Sequence, residues 1–222
     1  MKLNTIAALL LTASCLMATA VSATTLTVSN NSNVIVSQDT DWSDFLNFQK
    51  FNPALGTLTS VKFELYSNIA GSVTLTNYND DPADVPVTLD VSVFLNRPDN
   101  SNLVLISASL FNTVITVPGG GGSGGTSNSL LAYNSATYSG PGDLALFSGP
   151  GSINTLITAQ ANSTVFGDGI DVQFATTADG YGTVTYAYTP AVPEPQTYGM
   201  LLLGMGLMGM LARRQQSRAK QA

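Results

Sequence analysis

Apolar and polar residues alternate one by one through most of this chain. A period of two commits a segment to an extended strand with one face buried and the other wet. In the stretch 87–95, Val87, Leu89, Val91, Val93 and Leu95 fall on one side, with Thr88, Asp90 and Ser92 on the other. In the stretch 60–66, Val61, Phe63 and Leu65 face one way while Lys62, Glu64 and Tyr66 face the other. Val184, Tyr186 and Tyr188 repeat the pattern near residue 190, and weaker runs begin near residues 25, 33, 72, 102, 112, 154 and 170. The runs are short, rich in Val, Thr and aromatics, and separated by Asn, Asp, Gly and Pro. The pattern predicts an all-β, antiparallel, jelly-roll-like β-sandwich.

Two stretches depart from the alternation. The sequence "DWSDFLNFQKF" predicts about one helical turn capped by Asp41. The stretch 117–129, "VPGGGGSGGTSNS", is too rich in glycine to be ordered by itself, so it reads as a long loop between strands of one sandwich or as a linker between two lobes. Neither half alone has enough strands to close, which favours the loop. The chain shows no internal repeat, and its 222 residues suit one core.

The two ends read as addresses. Lys2, the apolar run from Ile6 to Met17 and the small residues Val21, Ser22 and Ala23 form a secretory signal peptide over residues 1–23, cut after Ala23, with Ala18-Thr19-Ala20 as a second site. Lipidation at Cys15 is the rival reading. At the other end, residues 198–212 are apolar and form a short single transmembrane helix, and residues 213–222 form a basic tail beginning with Arg213 and Arg214. The positive-inside rule then puts the tail in the cytoplasm and the domain at 24–190 outside the inner membrane.

The ordered set Val192-Pro193-Glu194-Pro195, apolar helix and Arg-rich end, over residues 191–222, resembles the PEP-CTERM sorting signal of exopolysaccharide-producing Gram-negative bacteria. That resemblance implies recognition of Pro193, Glu194 and Pro195 by an exosortase, transient anchoring in the inner membrane, and final placement at the cell surface or in the extracellular matrix. Prolines on both sides of Glu194 keep the backbone extended, the form a processing enzyme's cleft takes up. A second resemblance lies in "FQKFNPALGTLTSVKFELY" and "GTVTYAYTP", which are similar to the first and last parts of the choice-of-anchor E domain over residues 39–189. That family often has Asp where this chain has Asn52. The Asn52–Gly56 stretch itself reads as a turn, with Pro53 fixing φ and Gly56 free to take a positive φ.

Charge and residue inventory narrow the chemistry. Residues 24–190 hold thirteen acids and three bases, Lys50, Lys62 and Arg97, which disfavours nucleic acid as a partner. The chain has no histidine and its one cysteine is Cys15, so triad, thiol and ordinary zinc chemistry are excluded from the exported domain. Glu64 is the only glutamate in the domain and reads as a solvated strand residue beside Lys62. No cofactor is expected beyond calcium, for which two oxygen-rich loops are candidates: Asp80, Asp81 and Asp84 in one, Asp168 and Asp171 in the other. The same residues also make ordinary turns. Tyr133, Tyr138, Tyr181, Tyr186 and Tyr188 could stack on a sugar or serve as half-buried packing. The expectation is a non-enzymatic, structural or adhesive protein of the extracellular polymer layer, with polysaccharide as its partner. The alternative is a carbohydrate-binding module with calcium-ordered loops. An enzyme, third, would need two carboxylates in one cleft.

Overall fold

The computed structural model describes residues 24–191 and the helical positions 202, 204–206, 208 and 209. The signal peptide with its Ala23 junction, the motif Pro193, Glu194 and Pro195, and Arg213 and Arg214 lie outside the described residues. So does the rest of the 198–212 segment, in which the described Leu202, Met205 and Met208 are exposed. Among the described residues no helix is long and apolar enough to cross a membrane.

The strands are β1 (Leu26–Asn31), β2 (Ile35–Asp39), β3 (Trp42–Gln49), β4 (Gly56–Asn77), β5 (Ala83–Asn96), β6 (Asn102–Val117), β7 (Gly122–Tyr138), β8 (Ser152–Val165) and β9 (Ile170–Pro190). They form a five-stranded sheet in the order β1-β9-β4-β7, with β2 also on β9, and a four-stranded sheet in the order β3-β8-β5-β6. All pairings between these strands are antiparallel. The pairs β5–β6, β4–β7, β3–β8 and β1–β9 are nested one inside the next. The chain is therefore one long hairpin rolled over on itself, which is how a jelly roll is wound. New pairings β4–β9 and β5–β8 close the roll.

Alternation sets the interior. Val61, Phe63, Leu65, Val87, Leu89, Val91, Val93, Leu95, Val184 and Tyr186 are all fully buried, on the faces their period predicts. Phe63 packs edge-on against Phe48, with ring centroids 5.4 Å apart, and tilts over Phe147 at 4.8 Å. Strands β4 and β9 run for 22 and 21 residues because the period continues through small inward residues. A Cβ on Gly71 would sit 2.5 Å from Leu89 Cδ2, so this position is filled from the opposite sheet.

Three expectations are corrected. The segment expected to form a helical turn is strand β3, paired with β8 along its whole length from Trp42 to Gln49, because Leu46 and Phe48 alternate into the core. Asp41 caps no helix; it takes a φ of 70° at the corner before β3. The glycine-rich stretch is a loop only as far as Gly121, and from Gly122 onward it is the start of β7, paired with the end of β4 from Asn77. Its glycines cannot hold a strand alone, but the long β4 edge supplies a template. A six-residue helix, α1 (Pro141–Leu146), carries no sequence signal beyond its N-terminal proline.

Three asparagines close the open sides of the roll, one on one side and two on the other. Asn33, between β1 and β2, donates to the Phe45 carbonyl at 3.1 Å and accepts the Asn47 N–H at 2.7 Å, standing in for a strand on the edge of β3. On the far side, Asn128 and Asn134 of β7 donate to the carbonyls of Leu110 and Leu105 of β6, at 2.7 and 2.6 Å.

Candidate functional site

The outer face of the five-stranded sheet carries a sequence of cross-strand rows. Tyr66 of β4 lies opposite Tyr133 of β7 and opposite Tyr181 of β9. Their rings stack across the strands: Tyr66 and Tyr181 are 5.2 Å apart and nearly parallel at 9°, and Tyr66 and Tyr133 are 4.9 Å apart at 39°. Because the rings face one another, the inner ring faces are used up by the stack. Tyr133 sits on the edge strand and remains 49% exposed.

The next row along β4 holds Asn68 and Leu131, and beyond it the side chains become small. Ser129, Ala70 and Thr177 form one row; Ser127, Ser72 and Ala175 form another. These residues floor a shallow open groove of about 530 Å³. A second hollow of about 350 Å³ shares Ala70, Ser129 and Thr177 with the groove and extends it to Ser37, Asn68 and Leu131, the row next to the tyrosines. The floor is hydroxyls and methyls at the pitch of the strands, a consequence of the Ser/Ala/Thr content of the outward positions.

The charged groups beside the tyrosine row are already engaged. Lys62 Nζ lies 2.7 Å from Glu64 Oε1, and the Tyr133 hydroxyl donates to the same oxygen at 3.0 Å. The hydrogen bond from Lys62 holds the Glu64 carboxyl below the usual carboxylate range. Desolvation raises the phenol of Tyr66, which stays neutral. The Asp179 carboxylate accepts from the backbone and side-chain amides of Asn68.

Sequence reasoning named Tyr133 and Tyr181 but not Tyr66, whose outward position on β4 was the available signal. The other three tyrosines are packing residues. Tyr186 is fully buried and donates to the Gln49 carbonyl at 2.7 Å; Tyr188 tilts on Phe51 at 5.2 Å; Tyr138 lies under the Arg97 guanidinium at 4.6 Å. The aspartate loops meet at the end of the roll opposite Leu26 and Pro190. Asn79 donates to the Asp168 carbonyl at 2.8 Å and the Tyr78 N–H to the Gly169 carbonyl at 3.0 Å, so Asp80 and Asp81 share this end with Asp168. Asp84 on β5 accepts from the Thr116 hydroxyl at 2.6 Å, and Asp171 lies on β9 opposite Thr76. Among the described residues no three acidic or metal-ligating side chains converge.

Residues 191–215 match the family model of the PEP-CTERM protein-sorting motif, which contains Pro193, Glu194, Pro195, Arg213 and Arg214. The motif marks an exported protein that is anchored transiently in the membrane and then processed by an exosortase. No curated protein matches the chain. Among solved structures, one of infectious bursal disease virus Gx strain aligns at 10% identity over 76% of this chain, with a TM-score of 0.23. This chain spans only 37% of that one. A mud crab tombus-like virus structure aligns at 11% identity over 80% of this chain and 87% of its own, with a TM-score of 0.20. Desmodium yellow mottle tymovirus aligns at 11% identity over 78% and 93%, with a TM-score of 0.19. Likeness at this level says nothing about function.

Proposed function

We propose that this chain is a cell-surface or extracellular-matrix protein with a structural or adhesive, non-catalytic role, delivered by exosortase processing of its C-terminal motif. The observation that carries the reading is the sorting motif at residues 191–215, which begins directly after β9 ends at Pro190. The roll suits that delivery. Leu26 pairs with Tyr188, so both ends of the domain leave at one end of the sandwich. A leader and a membrane anchor can then occupy one membrane while the body, β4 at roughly 3.3 Å per residue, extends about 70 Å away from it.

The choice-of-anchor E assignment belongs to this proposal. Its two quoted segments are neighbours in space: Gly56 pairs with Pro190, and the Ala191 N–H donates to the Leu55 carbonyl at 3.3 Å. The Asn52 side chain accepts from the Ala54 N–H at 3.0 Å, and Gly56 takes a φ of 147°, so the turn has the form its residues predict. The non-catalytic reading is supported by Glu64, which the Lys62 ion pair keeps ionised and without a proton to donate near neutral pH.

Replacing Pro193, Glu194 and Pro195 with alanine in the native host tests the proposal. The wild-type protein is expected in the surface or polymer fraction and the variant in the membrane fraction. Equal distribution of the two would refute it.

A further inference from the structure

We propose that the outer face of the five-stranded sheet binds an uncharged polysaccharide, laid along β4 over the small-residue floor and seated against the free ring face of Tyr133. Shape is the first argument. From Asn68 to Ser72 the face offers a shallow open trough about 13 Å long at roughly 3.3 Å per residue, ending one outward position short of the tyrosine row and long enough for more than one sugar unit. An open trough admits the middle of a polymer, whereas an enclosed pocket would accept only its end.

The chemistry of the lining is the second argument. A pyranose ring presents C–H groups on its faces and hydroxyls round its rim. Tyr133, 49% exposed at the sheet edge beside Leu131 at 58%, offers the apolar platform for a face. Ser72, Ser127, Ser129 and Thr177 line the floor with groups that both donate and accept, matching hydroxyls without demanding charge. The platform is preorganised: Tyr66 backs Tyr133 and Glu64 holds its hydroxyl, so little side-chain entropy is left to lose on binding.

Electrostatics select the class. Glu64 and Asp179 put negative charge beside the trough, and the nearby cation, Lys62, is already spent on Glu64. The domain around them holds thirteen acids and three bases, so a polyuronate or sulfated chain is repelled at low ionic strength. The same net charge would draw a cationic amino-sugar polymer at low ionic strength, but that attraction is lost in salt, and the carboxylates beside the trough are already hydrogen-bonded, Glu64 by Lys62 and Tyr133 and Asp179 by Asn68. An uncharged chain meets neither obstacle.

The test is native electrophoresis of the full chain in detergent micelles, through gels cast with hydroxyethylcellulose or with alginate, at low and high salt. The proposal predicts retardation by hydroxyethylcellulose that is insensitive to salt, and none by alginate at low salt. Tyr133→Ala should weaken retardation by about tenfold, the worth of one lost stacking contact. Ser129→Trp, which fills the trough from an outward position, should do the same, while Tyr133→Phe should bind like wild type because the ring remains. Unchanged thermal midpoints would show that these outward substitutions leave the fold intact. Equal retardation by alginate at low salt would overturn the charge class, and wild-type binding by Tyr133→Ala and Ser129→Trp would overturn the site. If hydroxyethylcellulose gives no retardation, the proposal is wrong. A dimer that Tyr133→Ala dissociates would then assign the face to a second copy of this chain.

Discussion

The carboxylate of Asp179 holds Asn68 at two points, accepting its backbone N–H at 2.5 Å on one oxygen and its side-chain amide at 2.7 Å on the other. Here the β4–β9 ladder is interrupted between Tyr66↔Tyr181 and Ile69↔Ala178, and the side chain supplies what the backbone does not. Ser67 completes the splice by donating its hydroxyl to the Asp179 carbonyl at 2.6 Å. The splice lies between the tyrosine row and the small-residue floor, so it fixes the relation of the two.

Asp179→Ala should destabilise the fold by about 1–2 kcal/mol, the net worth of the two bonds at a partly solvated site. Asp179→Asn, which keeps one acceptor, should cost about half of that. Urea denaturation with an unchanged m-value would confirm a local loss. A cost indistinguishable from zero would mean that water replaces the carboxylate.

Glycines in the roll differ in what a methyl group would meet. At Gly71 a Cβ meets the ends of two leucine side chains, Leu89 and Leu110, which can turn aside. At Gly56 it meets the Thr189 carbonyl and Pro190 backbone at a φ of 147°, and neither can yield without unpairing the end of β9. Gly56→Ala is expected to cost more than about 2 kcal/mol and Gly71→Ala about 1–2. Comparing their denaturation midpoints checks the order. A larger loss at Gly71 would contradict it.

Burial pushes the Tyr186 phenol well above its ordinary value while its hydroxyl donates to the Gln49 carbonyl. In the unfolded chain the same phenol ionises near pH 10. Above that pH the unfolded state loses a proton that the folded state keeps, so stability present below about pH 10 declines as pH rises further. Tyr186→Phe should lower stability at neutral pH by about 1–2 kcal/mol, through the orphaned Gln49 carbonyl, and flatten the decline above pH 10. Denaturation at a series of pH values measures both. Parallel curves for the two proteins would contradict the assignment.

Asn33 occupies the free edge of β3 as a strand would, and a vacant edge invites another chain. Asn33→Ala should cost about 1 kcal/mol and raise self-association. Asn128→Ala with Asn134→Ala should open the β6–β7 side in the same way. Light scattering during mild heating, with wild type as reference, reads the effect. Scattering that stays at the wild-type level in both variants would show that the edges are protected by something else.

The roll was legible wherever the period of two was filled by large side chains, as in Val87–Leu95, because burial on one face leaves only one register. It was illegible where the interior needs space rather than bulk. Ser67 and Gly71 look like breaks in β4, but they are the points where the opposite sheet or a side-chain bond fills the position. The strand that starts at Gly122 owes its form to the β4 edge, which lies 45 residues earlier at Asn77 and sends no local signal. Trp42–Gln49 fitted both periods, and pairing with β8 decided between them. The candidate site depended on register throughout. Tyr66, Tyr133 and Tyr181 are scattered over 116 positions and become one row only when three strands align. Their composition alone could not separate them from Tyr138, Tyr186 and Tyr188, which pack into the roll.

The central claim is that the chain is cut at its sorting motif after export. Intact-mass spectrometry of the protein recovered from its native host, with the sorting enzyme present and with it deleted, tests that claim most directly. The account predicts a mass ending near Val192 to Pro195 only when the enzyme is present, with any excess mass identifying an attached group. A chain that reaches Ala222 in both strains would contradict it and make the protein a permanently anchored one.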